Sequence, residues 1–225
     1  MSRSDTEVVG CDVARGTWVA VVLRGGAFRR ALTGASLLEI ARACRSAAVI
    51  AVDIPIGLPD VWPRAADLQA RDFVGRRRNS VFLTPLRAAV EEPDFATATA
   101  AHAAATGKGI SRQAHALSRM ILDAEPVAAA DERMHEGHPE ASFRAMAGMD
   151  LQEPKTSWNG LQSRIALLAE EGIELPADLA AAGRVRPDDV VDAAALGWTA
   201  ARIAAGTATR LGDPAVRSRG HAIYV

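Results

Sequence analysis

Three short runs of strand-forming residues follow one another closely at the N-terminal end of the chain. Residues 8–12 and 17–23 are rich in valine, and residues 27–32 come directly after a Gly25-Gly26 pair. A glycine pair between two such runs is typical of a tight hairpin turn. The pattern therefore predicts an antiparallel meander of three strands, which limits the folds that the rest of the chain can complete.

A helix and a wholly apolar strand are predicted after the meander. Ser36 is a typical helix N-cap, and apolar residues recur at helical spacing over residues 37–44. Residues 49–53 form an apolar run that ends in aspartate, which is typical of a strand buried on both faces beside a parallel partner. Because crossover connections are right-handed, this fourth strand is expected to lie next to the first. We therefore predict an α/β fold with an RNase H-like mixed sheet of order 3-2-1-4-5, flanked by helices.

The remainder of the chain is expected to complete one domain over residues 1–225, because a chain of this length can bury a full core. Residues 54–125 form a polar stretch with many Pro and Gly residues. This stretch is predicted to be a largely helical insertion after the fourth strand that could cover the strand ends. Further helices are predicted at 65–74, 111–125, 141–148, 159–171 and 187–205, a loop at 76–85, and short strands at 132–138 and 222–225.

Composition restricts the class of protein only weakly. The formal net charge is -1, and strong nucleic-acid binders are usually basic. No run approaches the roughly 18 apolar residues of a membrane helix, and residues 1–7 do not resemble a signal peptide. The two cysteines, Cys11 and Cys44, fit a reduced chain and are too few for a zinc site. A cytoplasmic protein without a membrane partner is expected.

Two aspartates end strands that are predicted to be neighbours. Asp12 closes the first strand and Asp53 closes the fourth. Aspartates after strands often serve only as turn or cap residues. A functional interpretation is favoured here because the topology brings both to one edge of the sheet, where carboxylates can hold two divalent cations about 3.5–4 Å apart. Mg²⁺ or Mn²⁺ is the expected cofactor.

Further acidic residues are candidates for the same site. Asp189 and Asp192 lie three residues apart and share a face of the last long helix. Acidic residues also favour a helix N-terminus for purely electrostatic reasons, so the sequence leaves open which of the two is a ligand. Glu140, in the segment His138-Pro139-Glu140, is a candidate ligand or catalytic residue, or a cap of the helix that follows.

Several cationic residues are candidates for binding a substrate phosphate. The planar guanidinium group of arginine can form two parallel hydrogen bonds to a phosphate. Arg76 and Arg78 belong to the densest cluster of positive charge in the sequence. Such runs are more often solvated loops. Arg112, Lys155 and His138 complete the set of residues that are predicted to contact substrate.

Six segments, in order along nearly the whole chain, carry a resemblance to a known family. They are Gly10–Asp12 with Arg15–Trp18, Asp53–Leu58, Gly75–Phe82, Ser111–Gln113, His138–Glu140 and Asp189–Thr199. These segments resemble the domain-of-unknown-function family 429, whose members are described as predicted RNase H-like nucleases. The resemblance implies an RNase H-like fold with a carboxylate site at Asp12, Asp53 and the Asp189/Asp192 pair. Val13 departs from the family, which more often has glycine there.

The sequence is interpreted as a metal-dependent phosphodiesterase that acts on nucleic acid. Asp12 would bridge two metal ions, Asp53 and one of Asp189 and Asp192 would each hold one, and Arg76 or Arg78 would bind the phosphate. One alternative is an RNase H-like binding protein without activity. Another is a hydrolase or phosphotransferase that acts on a small phosphorylated metabolite, for which a deep enclosed pocket is expected in place of an open basic groove. The oligomeric state is not predicted.

Overall fold

The computed structural model describes residues 5–216 and 221–225, and its centre is a five-stranded mixed sheet. The strand order is β3-β2-β1-β4-β5, as predicted. β1 pairs antiparallel with β2 and β2 with β3, whereas β4 is parallel to β1 and β5 is parallel to β4. The strands are β1 Glu7–Ala14, β2 Thr17–Arg24, β3 Ala27–Gly34, β4 Val49–Val52 and β5 Met134–Glu136.

Nine helices are assigned among the described residues. They are α1 Leu37–Ala43, α2 Ala65–Phe73, α3 Arg87–Val90, α4 Phe95–Thr106, α5 Arg112–Ala116, α6 Ser118–Ala130, α7 Pro139–Ala147, α8 Trp158–Glu170 and α9 Pro187–Ala205. Two 3₁₀ helices span Gly75–Ser80 and Ala180–Arg184, and a second, two-stranded sheet pairs β6 Arg210–Leu211 with β7 Ile223–Tyr224. None of the helices in the described part of the chain has the length and apolar character needed to cross a membrane.

The central sheet is covered on both faces. In β2, Val19, Val21 and Leu23 pack with α9 in one apolar core, while Ala20 and Val22 belong to a second core with residues of α1 and α6. Burial of alternate residues on opposite faces follows from the two-residue repeat of a strand. This explains why the sequences of β1, β2 and β4 are nearly continuous apolar runs.

Helix α9 approaches the sheet unusually closely at two glycines. A Cβ atom added to Gly10 of β1 would be 2.1 Å from the backbone nitrogen of Gly197 of α9. Real Cβ atoms do not come so close to another backbone, so only glycine fits at position 10. The close packing sets α9 directly over β1 two residues before Asp12. Asp12 does not close the strand as predicted, because pairing with β2 continues to Ala14.

Two sequence-based helix and loop assignments need correction. The single helix predicted at 111–125 is two helices, α5 and α6, with the break at Leu117, and α6 continues to Ala130. Ala124 and Ala128 of α6 are buried in the same core as residues of α1, so packing continues the helix beyond its predicted end. The segment predicted as a loop from 76 begins with the 3₁₀ helix Gly75–Ser80.

Candidate functional site

Asp12 and Asp53 lie side by side at one edge of the sheet. Cys11 of β1 pairs with Val52 of β4, and the backbone N–H of Asp53 donates to the carbonyl oxygen of Cys11 at 3.0 Å. Asp12 and Asp53, the next residues along the chain, are therefore neighbours, as expected from parallel pairing of the first and fourth strands. The Asp12 Oδ1 atom accepts a hydrogen bond from the N–H of Val13 at 2.7 Å, which orients the carboxylate.

Asp192 joins these two carboxylates from α9. Its side chain is 1 % exposed. Burial raises the pKa of Asp12 well above its ordinary value, and the charges of Asp53, Asp192 and, more weakly, Asp189 raise it further. Of the two helix aspartates that the sequence left open, Asp192 thus lies deeper in the group and Asp189 lies at its margin. We call Asp12, Asp53, Asp189 and Asp192 the carboxylate cluster.

A lysine enters the carboxylate cluster. The Lys155 Nζ atom forms an ion pair with Asp192 Oδ2. Burial acts to lower the pKa of Lys155, but the charges of Asp192, Asp12 and Asp53 raise it above its ordinary value. The second oxygen, Asp192 Oδ1, is buried and accepts no hydrogen bond from any described residue. The sequence marked Lys155 only as a candidate for phosphate binding, whereas the structure places its charge among the acids.

Glu140 is held by an arginine that the sequence analysis missed. Both of its oxygens accept hydrogen bonds from Arg164 Nη2, each at 2.7 Å, and Arg164 is 1 % exposed. The charge of Glu140 still raises the pKa of Asp53 and of Asp192. Arg164 lies four residues from Gly160 and from Leu168, on the buried stripe of α8, so an arginine within an apolar stripe was the available signal.

His138 caps α7 beside Asp53. Its Nδ1 atom accepts from the N–H of Ala141 at 3.3 Å, and its Nε2 atom lies 3.5 Å from the carbonyl oxygen of Ser80. Burial raises the pKa of Asp53, and the nearby His138 and Lys155 act in the opposite direction. His138 therefore connects the edge of the carboxylate cluster with the end of the 3₁₀ helix Gly75–Ser80.

The sequence of this chain matches a protein-family model over most of its length. The model described as protein of unknown function (DUF429) matches residues 10–217. The chain belongs to the DUF429 family. The matched region contains the whole carboxylate cluster, together with Lys155, Glu140 and Arg164. Searches of curated proteins and of solved structures gave no match.

The arginine cluster of this DUF429 chain is divided in its roles. Arg76 Nη1 donates to Gln152 Oε1 at 3.1 Å, and Arg77 donates to the backbone carbonyl oxygen of Leu151 at 3.3 Å. These two side chains tie the 3₁₀ helix to the connection that carries Lys155. The Arg78 side chain is exposed, and its guanidinium forms no hydrogen bond or ion pair with residues 5–216 or 221–225. Arg78 is thus the member of the cluster that remains available to a ligand.

The contacts of Arg112 are with the helical segment between β4 and β5 and not with the carboxylate cluster. Its guanidinium stacks on the ring of Phe95, 4.5 Å from the ring centroid. Helix α5 packs mainly on α4 and α6. The interactions that surround Arg112 are therefore those of the helical segment between β4 and β5.

A second buried ionic group, also missed by the sequence analysis, lies next to Asp53. Arg64 Nη1 donates to Glu136 Oε2 at 2.7 Å, and Arg64 Nε donates to Asp67 Oδ1 at 2.8 Å. All three residues are buried. Together with Asp53 and His138 they line a cavity of only about 20 Å³. A chain that places Arg64 and Glu136 72 residues apart gives no local signal that they pair.

The other side of the carboxylate cluster opens onto a cleft rich in arginine. The cleft is lined by Ala14, Arg15, Arg184, Val185, Arg186 and Asp189, and its volume is about 250 Å³. Arg186 is paired with Asp188 through two hydrogen bonds, at 3.0 and 2.8 Å, so Asp188 is neutralised outside the cluster. Burial and the charge of Asp188 raise the pKa of Asp189 above its ordinary value, and the nearby Arg15 acts in the opposite direction.

The donor chemistry of the carboxylate cluster fits a hard divalent cation. Carboxylate oxygens are the preferred ligands of Mg²⁺ and Mn²⁺ in proteins. Asp192 Oδ1 is buried without a hydrogen bond from a described residue, which is costly for an ionised oxygen unless a cation approaches it. In the part of the chain that the structure describes, no three Asp, Glu, His or Cys side chains are already arranged around a metal position.

Proposed function

We propose that this chain is a metal-dependent phosphodiesterase that cleaves nucleic acid. The observation that carries the proposal is the convergence of Asp12 of β1, Asp53 directly after β4 and Asp192 of α9. The buried Asp192 Oδ1 atom has no hydrogen-bond donor among the described residues. Gathering ionised carboxylates in a buried place is unfavourable on its own, because each raises the pKa of the next. A bound cation reverses that cost.

The residues have separate roles in this proposal. Asp12, Asp53 and Asp192 hold the cation, and Asp189 lies at the margin on the side of the arginine cleft. Bound Mg²⁺ or Mn²⁺ would supply Lewis-acid stabilisation of the charge that develops on the phosphodiester. Glu140 acts on the carboxylate cluster through its charge, since both of its oxygens already accept hydrogen bonds from Arg164.

The shape of the site favours a polymer over a small phosphorylated metabolite. The cavity that Asp53 shares with His138 is about 20 Å³, which is too small to enclose a metabolite. The cleft beside Asp189 is lined by Arg15, Arg184 and Arg186. The guanidinium groups of Arg15 and Arg184 suit the phosphates of a nucleic-acid strand, whereas that of Arg186 is paired with Asp188.

The proposed compartment is the cytoplasm. Cys11 and Cys44 are both free thiols and both are buried. A reducing compartment keeps such thiols free.

Cleavage assays test the proposal directly. Single- and double-stranded DNA and RNA oligonucleotides, and a small chromogenic phosphodiester, would be incubated with Mg²⁺, with Mn²⁺ or with EDTA. We expect cleavage of at least one oligonucleotide that needs the metal, and a loss of about 100-fold or more in Asp12→Asn and Asp53→Asn. Asp123→Asn, which changes an exposed aspartate of α6, is the matched control and should retain full activity.

The other outcomes identify the alternatives. Oligonucleotide binding without cleavage under any metal condition would favour an inactive RNase H-like binding protein. Hydrolysis or phosphoryl transfer confined to small phosphorylated molecules would favour the metabolite enzyme. Activity that is unchanged in EDTA would contradict a metal-dependent reaction.

A further inference from the structure

We propose that Lys155 permanently occupies one of the two cation positions of the carboxylate cluster, so that the site binds a single divalent ion. This inference rests on the proposed metal-dependent function and makes it more specific. It replaces the arrangement of two metal ions that the carboxylates alone suggested.

The first support is how the two oxygens of Asp192 are used. Oδ2 is paired with the ammonium group of Lys155, and Oδ1 is buried with no hydrogen-bond donor among the described residues. A carboxylate that bridges two cations offers one oxygen to each. Here one of the two cations is already part of the protein, and the free oxygen is the place for the other.

The second support is the range over which the lysine acts. Lys155 is close enough for its charge to act on Asp12 and on Asp53 as well as on Asp192. These are the three carboxylates that would hold metal ions. Two divalent ions in addition to the ammonium group would place three cations on the same oxygens, and cations that close repel one another strongly.

The third support is that the turn carrying Lys155 is held firmly. The carbonyl oxygen of Pro154 accepts from the N–H of Ser157 at 3.0 Å and from its hydroxyl at 2.9 Å. Arg164 Nη1 donates to the carbonyl oxygen of Glu153 at 3.2 Å. Gly160 packs directly on the turn, since a Cβ atom there would be 1.9 Å from the Pro154 oxygen. The turn is therefore fixed on both sides of the lysine.

Isothermal titration calorimetry with Mn²⁺ on the full chain tests the inference. The parent protein should bind one Mn²⁺ per chain. Lys155→Met removes the charge and keeps an unbranched side chain, so a second Mn²⁺ should bind and the first should bind at least about tenfold more tightly. Lys155→Arg is the matched control, because it keeps the positive charge, and it should retain a stoichiometry of one.

Each remaining outcome overturns the inference. Two Mn²⁺ ions bound by the parent protein would show that Lys155 takes no cation position, whatever the variants do. Unchanged stoichiometry and affinity in a folded Lys155→Met protein would do the same. If neither the parent nor the variants bind Mn²⁺, the proposed metal-dependent function fails together with the inference. The first two outcomes overturn the inference alone, so the two failures are distinguishable. Thermal unfolding without metal monitors whether each variant folds.

Discussion

Gly10 of β1 lies directly against Ala193 of α9, and a Cβ atom at Gly10 would be 2.1 Å from the carbonyl oxygen of Ala193. Asp12 follows Gly10 by two residues, and Asp192 precedes Ala193 by one. The closeness of strand and helix is thus what brings these two carboxylates into one group. A larger residue at position 10 would separate them.

Replacement of Gly10 by alanine should be strongly destabilising. The added methyl group meets backbone atoms of α9, which cannot move aside as a flexible side chain does, and overpacking of this kind costs about 1–3 kcal/mol or more. Urea denaturation would measure the loss in the free energy of unfolding. Gly183→Ala is the control, because the nearest atom to its added Cβ is Leu179 Cβ at 3.6 Å, an ordinary contact. Equal stability of the two variants would contradict the close packing of α9.

The buried pair of Glu140 and Arg164 should show the behaviour of a buried ion pair. Arg164→Met leaves the Glu140 carboxylate without its two hydrogen bonds, beside Asp53 and Asp192, and should cost about 3–5 kcal/mol. The double variant Glu140→Gln/Arg164→Met should be more stable than Arg164→Met alone, since no charge is then left unpaired. A double-mutant cycle in urea provides both numbers. Additive effects of the two changes would mean that the pair contributes nothing.

Stability without metal should fall as the pH rises from about 4 to about 7. Burial raises the pKa of Asp192 from 3.8 to about 7, and Asp12 and Asp53 are also raised. An acid whose pKa is raised by folding holds more protons in the folded chain than in the unfolded chain, so ionisation between the two values destabilises the fold. The loss should be on the order of a few kcal/mol, measured as unfolding free energy in EDTA.

Divalent cations should remove most of this pH dependence. Millimolar Mg²⁺ or Mn²⁺ binds the ionised cluster and should raise the melting temperature at pH 7 far more than at pH 5. Asp12→Asn should lose most of the gain. A melting temperature that is indifferent to both metals at pH 7 would argue against a cation site.

Arg78 is expected to contribute to substrate binding in a way that depends on salt. It is exposed and unpaired among the described residues, and its 3₁₀ helix reaches His138, the neighbour of Asp53, through the carbonyl oxygen of Ser80. Arg78→Ala should weaken oligonucleotide binding and reduce the slope of log K against log salt by about one. Arg29→Ala, an exposed arginine on the far edge strand β3, should change neither. Fluorescence anisotropy measures both variants, and an unchanged slope for Arg78→Ala would remove it from the site.

The sequence predicts those parts of the fold that are encoded locally or by topology. The glycine pair and the apolar runs predicted the meander, and Pro187 at a first helical turn predicted the start of α9. Asp12 and Asp53 were found together because parallel strands must end at one edge. Each of these inferences needs only neighbouring residues or a general rule of chain connection.

The electrostatic partners within the site could not be predicted in the same way. Lys155 and Asp192 are 37 residues apart, and Arg164 and Glu140 are 24 apart. Such pairs are decided by how α7, α8 and α9 pack on one another, and no local pattern records this. An arginine within the apolar stripe of α8 was the one partial signal, because a buried charge needs a partner somewhere.

The order of the site residues along the chain decides when the carboxylate cluster can be completed during synthesis. Asp12 and Asp53 are synthesised early, Lys155 much later, and Asp192 last, on the helix that closes over β1. The ribosome delivers the N-terminal part of a chain first, whereas a domain generally folds as a unit. A nascent chain therefore lacks part of the carboxylate cluster through most of its synthesis, and the cluster is complete only when α9 has emerged.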